Sequence, residues 1–276
     1  MILSDWLSEA TKALQEASIP SARLDAELIL AHTLRKPRTW LHAHADDQLD
    51  DRQYEIAEAR LDLRKDRVPV AYIVGHKEFY GRPFKVTTAT LIPRPESEDI
   101  IELLKKAVPA NAALDLRSPL RLVDVGTGSG ALGITAKLEH PELDVTLLDI
   151  SRHALQVAEE NAQQLQAGVT VLQSDLLAQY PYQASIIIAN LPYVDIAWER
   201  SPETDHEPAV ALFAEKNGLA LISKLLEDTV NGLSVGGFCI LEADPEQHHA
   251  IIKKARQHHL VHVETLGYGV LLQKLA

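Results

Sequence analysis

From Arg121 onward, short apolar runs alternate with helical stretches, and this alternation restricts that half of the chain to an open α/β sheet. Leu122-Val123-Asp124-Val125 reads as a strand, and Gly126-Thr127-Gly128-Ser129-Gly130 as a tight turn opening a helix over residues 131–139. Residues 145–149 form a second strand ending in Asp149, and residues 151–166 a helix with Ser151 as its N-cap. A third strand, 169–172, runs into Gln173-Ser174-Asp175-Leu176. The β-branched run at 184–189 is a fourth, buried strand. Residues 218–233 are helical, 237–242 strand and 245–259 helix, and 261–264 with 268–272 form a closing antiparallel pair.

The fourth strand ends in Asn190-Leu191-Pro192-Tyr193. Pro192 lacks an N–H, so it stops sheet pairing, and it pushes Leu191 out of the helical region. Asn190 is left at the C-terminal edge of the strand, where ligands bind in open α/β sheets. Its side-chain carbonyl, together with a backbone carbonyl near Leu191 or Pro192, suits a planar –NH2 group, and Tyr193 suits stacking on a flat one. Leu191 is expected to contribute only its backbone to that grip. The bland alternative is a strand-ending turn with a buried tyrosine.

The glycine turn brings backbone close to a ligand at a helix N-terminus. Asp124, just before it, is placed to accept a bond from an ammonium group. Asp149, one strand on, is placed to hold both ribose hydroxyls, and Asp175 with Leu176 to meet an adenine ring and its amino group. A dinucleotide site favours G-x-G-x-x-G around a pyrophosphate, and Asp124 repels phosphate. S-adenosylmethionine is cationic and phosphate-free, so the acids favour it. The expected cofactor set is Asp124, Gly126, Thr127, Gly128, Gly130, Asp149, Ile150, Asp175 and Leu176.

A methyl donor beside such a clamp implies methylation of a planar nitrogen. Its lone pair is delocalised, so two acceptors on its hydrogens both orient it and stabilise the charge that develops. Glutamine amides and adenine are both substrates of this kind.

Residues 1 to about 70 read as a helical bundle. Trp6, Leu7, Ala10, Leu14 and Ala17 recur at helical spacing. Leu24, Leu28, Ile29 and Ala31 do so in residues 22–34, as do Tyr54, Ile56, Ala57 and Leu61 in residues 50–67. Two alternating runs between Val68 and Val86 suggest a hairpin around Gly81. In Leu91-Ile92-Pro93-Arg94-Pro95-Glu96-Ser97-Glu98, Arg94 and Glu96 are placed to line a cleft, and Glu96 or Ser97 to cap a helix running to Ala107.

The 276 residues allow one large domain or two smaller ones, and 46% hydrophobic residues are enough for a core. A net charge of −12 argues against a broad phosphate-binding surface. The single cysteine, Cys239, excludes an internal disulfide framework and fits a reducing cytoplasm. The twelve histidines lack accompanying metal-ligand spacing, so no metal is expected. No signal peptide or membrane-spanning run is read, and the expected location is cytoplasmic.

Over almost its whole length the chain resembles the release factor glutamine methyltransferases. The likeness lies in residues 67–75, in Glu78-Phe79-Tyr80-Gly81, in Leu91-Ile92-Pro93-Arg94-Pro95-Glu96, in the glycine turn and in Asp149-Ile150-Ser151. It continues in Glu207-Pro208-x-x-Ala211-Leu212-x-Ala214, Gly218-Leu219 and Glu242. Two departures stand out: Leu191 replaces the second residue of the family's Asn-Pro-Pro-Tyr, and the arginine-rich C-terminal signature is absent.

The resemblance implies a helical substrate-recognition domain (1–75), a β-hairpin linker (76–92) and a seven-stranded Rossmann-like S-adenosylmethionine methyltransferase domain (93–276). It implies methyl transfer to the glutamine of the Gly-Gly-Gln motif of bacterial-type release factors, modulating translation termination. Asn190, Pro192 and Tyr193 match the catalytic amide-binding positions, Gly126, Gly128, Asp149 and Asn190 match cofactor-contacting ones, and Leu191, Arg94 and Glu96 complete the expected substrate-binding set. Neither a nucleic acid nor a membrane is an expected partner. Asn-Leu-Pro-Tyr also resembles the ribosomal RNA adenine dimethyltransferases, so an adenine-N6 methyltransferase is the alternative. An inactive cofactor-binding scaffold is a third reading.

Overall fold

The computed structural model describes residues 1–112, 120–195, 198, 200–213 and 218–275. Ala214 of the sequence motif lies outside them. The chain divides into two compact units, Met1–His76 with Arg200–His206, and Lys77–Glu199 with Glu207–Ala276.

The first unit is helical: α1 (Leu3–Glu16), α2 (Ala22–Leu34), α3 (Arg38–Ala43), α4 (Asp51–Lys65) and α5 (Val70–Val74). Trp6, Leu14, Ile29, Leu30 and Leu41 are fully buried, each stabilising the unit by roughly 1.5–3 kcal/mol for a large apolar side chain. Asp50 and Gln53 form a reciprocal capping box that starts α4. Leu24 and Ile56, expected inward, are exposed, because Asp25 and Ala57 take the neighbouring buried positions. Residues 70–74, expected as strand, form a helical turn closed by Gly75 at φ +76°. The segment Arg200–His206 belongs to this unit. Glu203 receives Arg64 Nη2 at 2.9 Å and Arg67 Nη1 at 3.2 Å, while Arg64 Nε binds Asp25 Oδ2 at 2.8 Å. Burial works to raise the Glu203 carboxyl, but bonds from Ser201, its own backbone and the two arginines overcome this and hold it at about 2.

The second unit opens with the hairpin β1 (His76–Phe79) and β2 (Arg82–Lys85). Its two turn residues, Tyr80 and Gly81, both have positive φ, the requirement of the tight turn that matches strand twist. Then follow α6 (Glu98–Ala112), β3 (Arg121–Val125), α7 (Ala131–Glu139), β4 (Asp144–Asp149), α8 (Arg152–Gln164), β5 (Thr170–Gln173) and β6 (Ala184–Ala189). The chain closes with α9 (Ala209–Leu212), α10 (Ala220–Gly232), β7 (Leu233–Glu242), α11 (His248–Ala255), β8 (Leu260–Leu266) and β9 (Gly269–Lys274).

The sheet order is β5-β4-β3-β6-β7-β9-β8. Strands β5 to β7 are mutually parallel, and β9 runs antiparallel to both β7 and β8. Alternate residues divide between the two faces. Ile186 and Ile188 join Ile100, Leu104 and Ile134 of α6 and α7, whereas Ile187 joins Ile222, Leu225 and Ile251 of α10 and α11. The order reverses between β3 and β6, where Val125 pairs with Ala189. The glycine turn and Asn190 therefore leave the sheet side by side at its switch point.

Candidate active site

The glycine turn is fixed from both sides. Gly126 and Thr127 donate their N–H groups to Leu148 O, each at 2.8 Å, and Gly128 N donates to Asp149 Oδ2 at 2.9 Å. Gly126 and Gly128 have φ of +73° and +56°, which side chains resist. A Cβ on Gly128 would meet nothing within 4 Å, so its backbone is open to a ligand. A Cβ on Gly126 would lie 2.8 Å from Leu191 Cδ2. The Leu191 side chain is buried against the turn and ties the two motifs together.

The three strand-end acids occupy one sheet edge but three environments. Asp124 is fully buried, and its Oδ2 accepts from Thr127 Oγ1 at 2.6 Å and Gly133 N at 2.8 Å. Burial pushes its carboxyl up to about 6 despite those two bonds. Asp124 therefore holds the turn through Oδ2, while its Oδ1 is buried without a hydrogen-bond partner. Asp149 accepts from Gly128 and Ser151 N–H groups, and burial raises its carboxyl against them. Beside it, Ile150 is 65% exposed, an apolar surface next to the acid. Asp175 is exposed and paired with Lys224 Nζ at 2.8 Å, so it stands apart from the other two. Leu176 is buried, and its carbonyl accepts from Ser174 Oγ.

Asn190 Nδ2 donates to Ser97 Oγ at 3.0 Å. Ser97 thus has a different use from the expected helix cap; α6 is instead preceded by a short 3₁₀ turn, Pro95–Ser97. Tyr193 is half-buried, with its hydroxyl donating to Glu242 Oε1 at 3.0 Å. Burial, then the Glu242 charge, drives that phenol far above its usual range. Tyr193 O accepts from Gln247 Nε2 at 2.9 Å. Among the described residues, no donor reaches the carbonyls of Leu191 or Pro192. Arg94 is partly exposed, with its guanidinium on Glu207, and Glu96 is exposed.

The chain matches two family models, the PrmC N-terminal domain over residues 5–75 and the methyltransferase small domain over residues 103–203. It is 35% identical over 253 residues to the release factor glutamine methyltransferase of Escherichia coli (strain K12), covering 89% of this chain and 87% of that one. The chain belongs to the release factor glutamine methyltransferase family. The Koribacter versatilis (strain Ellin345) member is 37% identical over 258 residues, covering 89% of each chain. The methyltransferase fold extends to the hMettl16 catalytic domain in complex with MAT2A 3'UTR hairpin 6. That structure has a TM-score of 0.52 at 13% identity and covers 82% of this chain and 83% of that one.

The S-adenosylmethionine of this methyltransferase family suits the residues present. The open Gly128 backbone, the Asp149 carboxylate and exposed Ile150 form a cradle that offers backbone, an anion and an apolar surface. Among the described residues no cluster suited to a metal occurs, and no helix is long and apolar enough to cross a membrane. Sequence reasoning missed Gln247, named Ser97 only as a candidate helix cap, and noted Glu207 and Glu242 only through the family likeness. All four touch their partners across long stretches of chain, and only the acid ending β7 carries a local signal.

Proposed function

We propose that this protein methylates the side-chain amide nitrogen of the glutamine in the Gly-Gly-Gln motif of bacterial-type peptide chain release factors. The observation that carries this reading is the orientation of Asn190, whose Nδ2 is committed to Ser97, so that Oδ1 is the atom left to accept. When bound, S-adenosylmethionine supplies an electrophilic methyl carbon on a sulfonium. Gly126, Thr127, Gly128 and Gly130 give it backbone, Asp149 takes the ribose hydroxyls, and Ile150 and Leu176 give apolar contact to the adenine. Asp175 keeps its second carboxylate oxygen for the adenine amino group. Asp124 acts on the cofactor through the turn that it holds.

Asn190 Oδ1 accepts one hydrogen of the glutamine amide, and a backbone carbonyl at Leu191 or Pro192 accepts the other. The two bonds fix the plane of the amide and turn its nitrogen lone pair toward the methyl group. They also stabilise the positive charge that grows on nitrogen, in a site already organised to receive it. The proton leaves after transfer, so no strong base is needed. Tyr193 walls the amide, anchored by Glu242 at its hydroxyl and by Gln247 at its carbonyl. Arg94 and Glu96 contact the release factor at the rim.

Asn190→Ala removes one acceptor and lowers kcat by roughly 10²–10³, the scale for one preorganised contact to developing charge. Asn190→Asp keeps an acceptor oxygen and is faster than Asn190→Ala. Both are measured with labelled donor on whole release factor and, in parallel, on ribosomal RNA. Wild-type rates for both variants on the same glutamine, or label on the RNA alone, overturn the assignment.

A further inference from the structure

Asn190 has two amide orientations of nearly equal shape, and only one leaves an oxygen free. The local backbone does not choose between them. Asn190 Nδ2 donates to Ser97 Oγ at 3.0 Å, across 93 residues of chain. Ser97 is itself buried, and as an acceptor from Asn190 it has its own hydroxyl proton to place. The neighbouring carboxylate is Glu242, 1% exposed at the end of β7. Its Oε1 accepts from Tyr193 at 3.0 Å, and its Oε2 is buried without a hydrogen-bond partner. Burial raises the Glu242 carboxyl, while Ser97, Tyr193 and Asn190 each lie close enough to favour its charged form. The geometry that chooses the Asn190 orientation is therefore the Ser97 oxygen, a buried acceptor already occupied by Nδ2.

We infer that Ser97 is a positioning residue, which locks the Asn190 amide in the orientation that presents Oδ1 to the substrate amide. The inference deepens the reading of Asn190 given above and rests on it. The reversed amide would point an NH2 at an NH2, which neither orients the glutamine nor stabilises its charge. At the other end of the same segment, Glu242 anchors the Tyr193 hydroxyl.

Ser97→Ala removes the acceptor with little change in volume, and kcat is expected to fall on the order of tenfold, the worth of one hydrogen bond. KM for release factor and the Kd for S-adenosylmethionine stay within about twofold on this account, since the contact acts on orientation. Ser97→Thr, which keeps the hydroxyl, restores the rate. In an Asn190→Ala background Ser97→Ala costs nothing further, because no amide is left to orient.

The second readout is independent of turnover. With 15N-asparagine labelling, the Asn190 side-chain NH2 signals are identified by their loss in Asn190→Asp. They shift and exchange faster in Ser97→Ala and hold their place in Ser97→Thr. Unmoved amide signals, or an equal kcat loss in both backgrounds, overturn the inference. A wild-type enzyme inert on release factor glutamine overturns the substrate reading instead, and the amide signals still report whether Ser97 orients Asn190.

Discussion

Arg94 and Glu207 lie 113 residues apart, and the Arg94 guanidinium donates through Nη2 to Glu207 Oε1. The carboxylate is 1% exposed, and its other oxygen accepts from the backbone N–H of Ile92 at 3.1 Å. The Arg-Pro-Glu and Glu-Pro-x-x-Ala-Leu segments therefore hold one another. The pair also anchors the chain where it re-enters the second unit after Arg200–His206.

Arg94→Ala leaves a buried carboxylate with only a backbone partner. Because the guanidinium is partly exposed, the expected loss is about 1–3 kcal/mol, below that for a fully buried pair. Denaturant unfolding measures it. A variant as stable as wild type would mean that Glu207 is satisfied without Arg94.

Gly126→Ala places a methyl group 2.8 Å from Leu191 Cδ2 on a backbone at φ +73°. The positive φ alone costs roughly 1–2 kcal/mol, and the overlap adds to it. Adding Leu191→Ala relieves the overlap but not the φ cost, so the double variant binds S-adenosylmethionine better than Gly126→Ala alone. Calorimetry on the three proteins checks this, and equal affinity for the single and double variants rules out the steric coupling.

Asp149→Ala weakens S-adenosylmethionine binding by roughly 1–3 kcal/mol, through lost charge-assisted bonds. Part of the loss is indirect, because the Gly128 and Ser151 N–H groups lose their acceptor. Unchanged affinity by calorimetry would remove Asp149 from the ribose role.

Asp124 carries a pH signature of the opposite sign to an ordinary paired carboxylate. Burial raises its folded pKa from 3.8 to about 6, so the native state prefers the protonated form. Its contribution to stability is fully present below the unfolded value and is lost as pH rises through the folded one. The window is pH 4 to 6, and the loss amounts to about 3 kcal/mol at 1.36 kcal/mol per unit. Asp124→Asn flattens the Tm profile across that window. A parallel profile for wild type and variant would show that the carboxyl titrates normally.

The helical unit is expected to bind the release factor away from the reacting glutamine. A glutamine-containing peptide then has a much lower kcat/KM than whole factor, because remote binding energy is missing. Equal values for peptide and protein would count against that use of residues 1–75.

The sequence by itself determined the strands, the turns and the edge of the sheet where the chemistry gathers. Those features are local. The β-branched run at 184–189, the glycines after Val125 and Pro192 after Asn190 each dictate backbone shape within a few residues. Residues 131–139 and 184–189 accordingly form the expected helix and strand. Short apolar runs are locally ambiguous, and residues 70–74 became helix because Pro69 and Gly75 frame a single turn.

Only the tertiary structure decided what each polar group at that edge is used for. Asp124, Asp149 and Asp175 look equivalent along the chain, yet one is buried under the turn, one supports it and one pairs with Lys224. The Leu191 side chain found Gly126, Ser97 found Asn190 and Arg94 found Glu207, each across more than sixty residues. Such pairings depend on how the strands are ordered and the faces packed, because the free energy of a charge or an amide is set by burial and by neighbours that are distant in sequence.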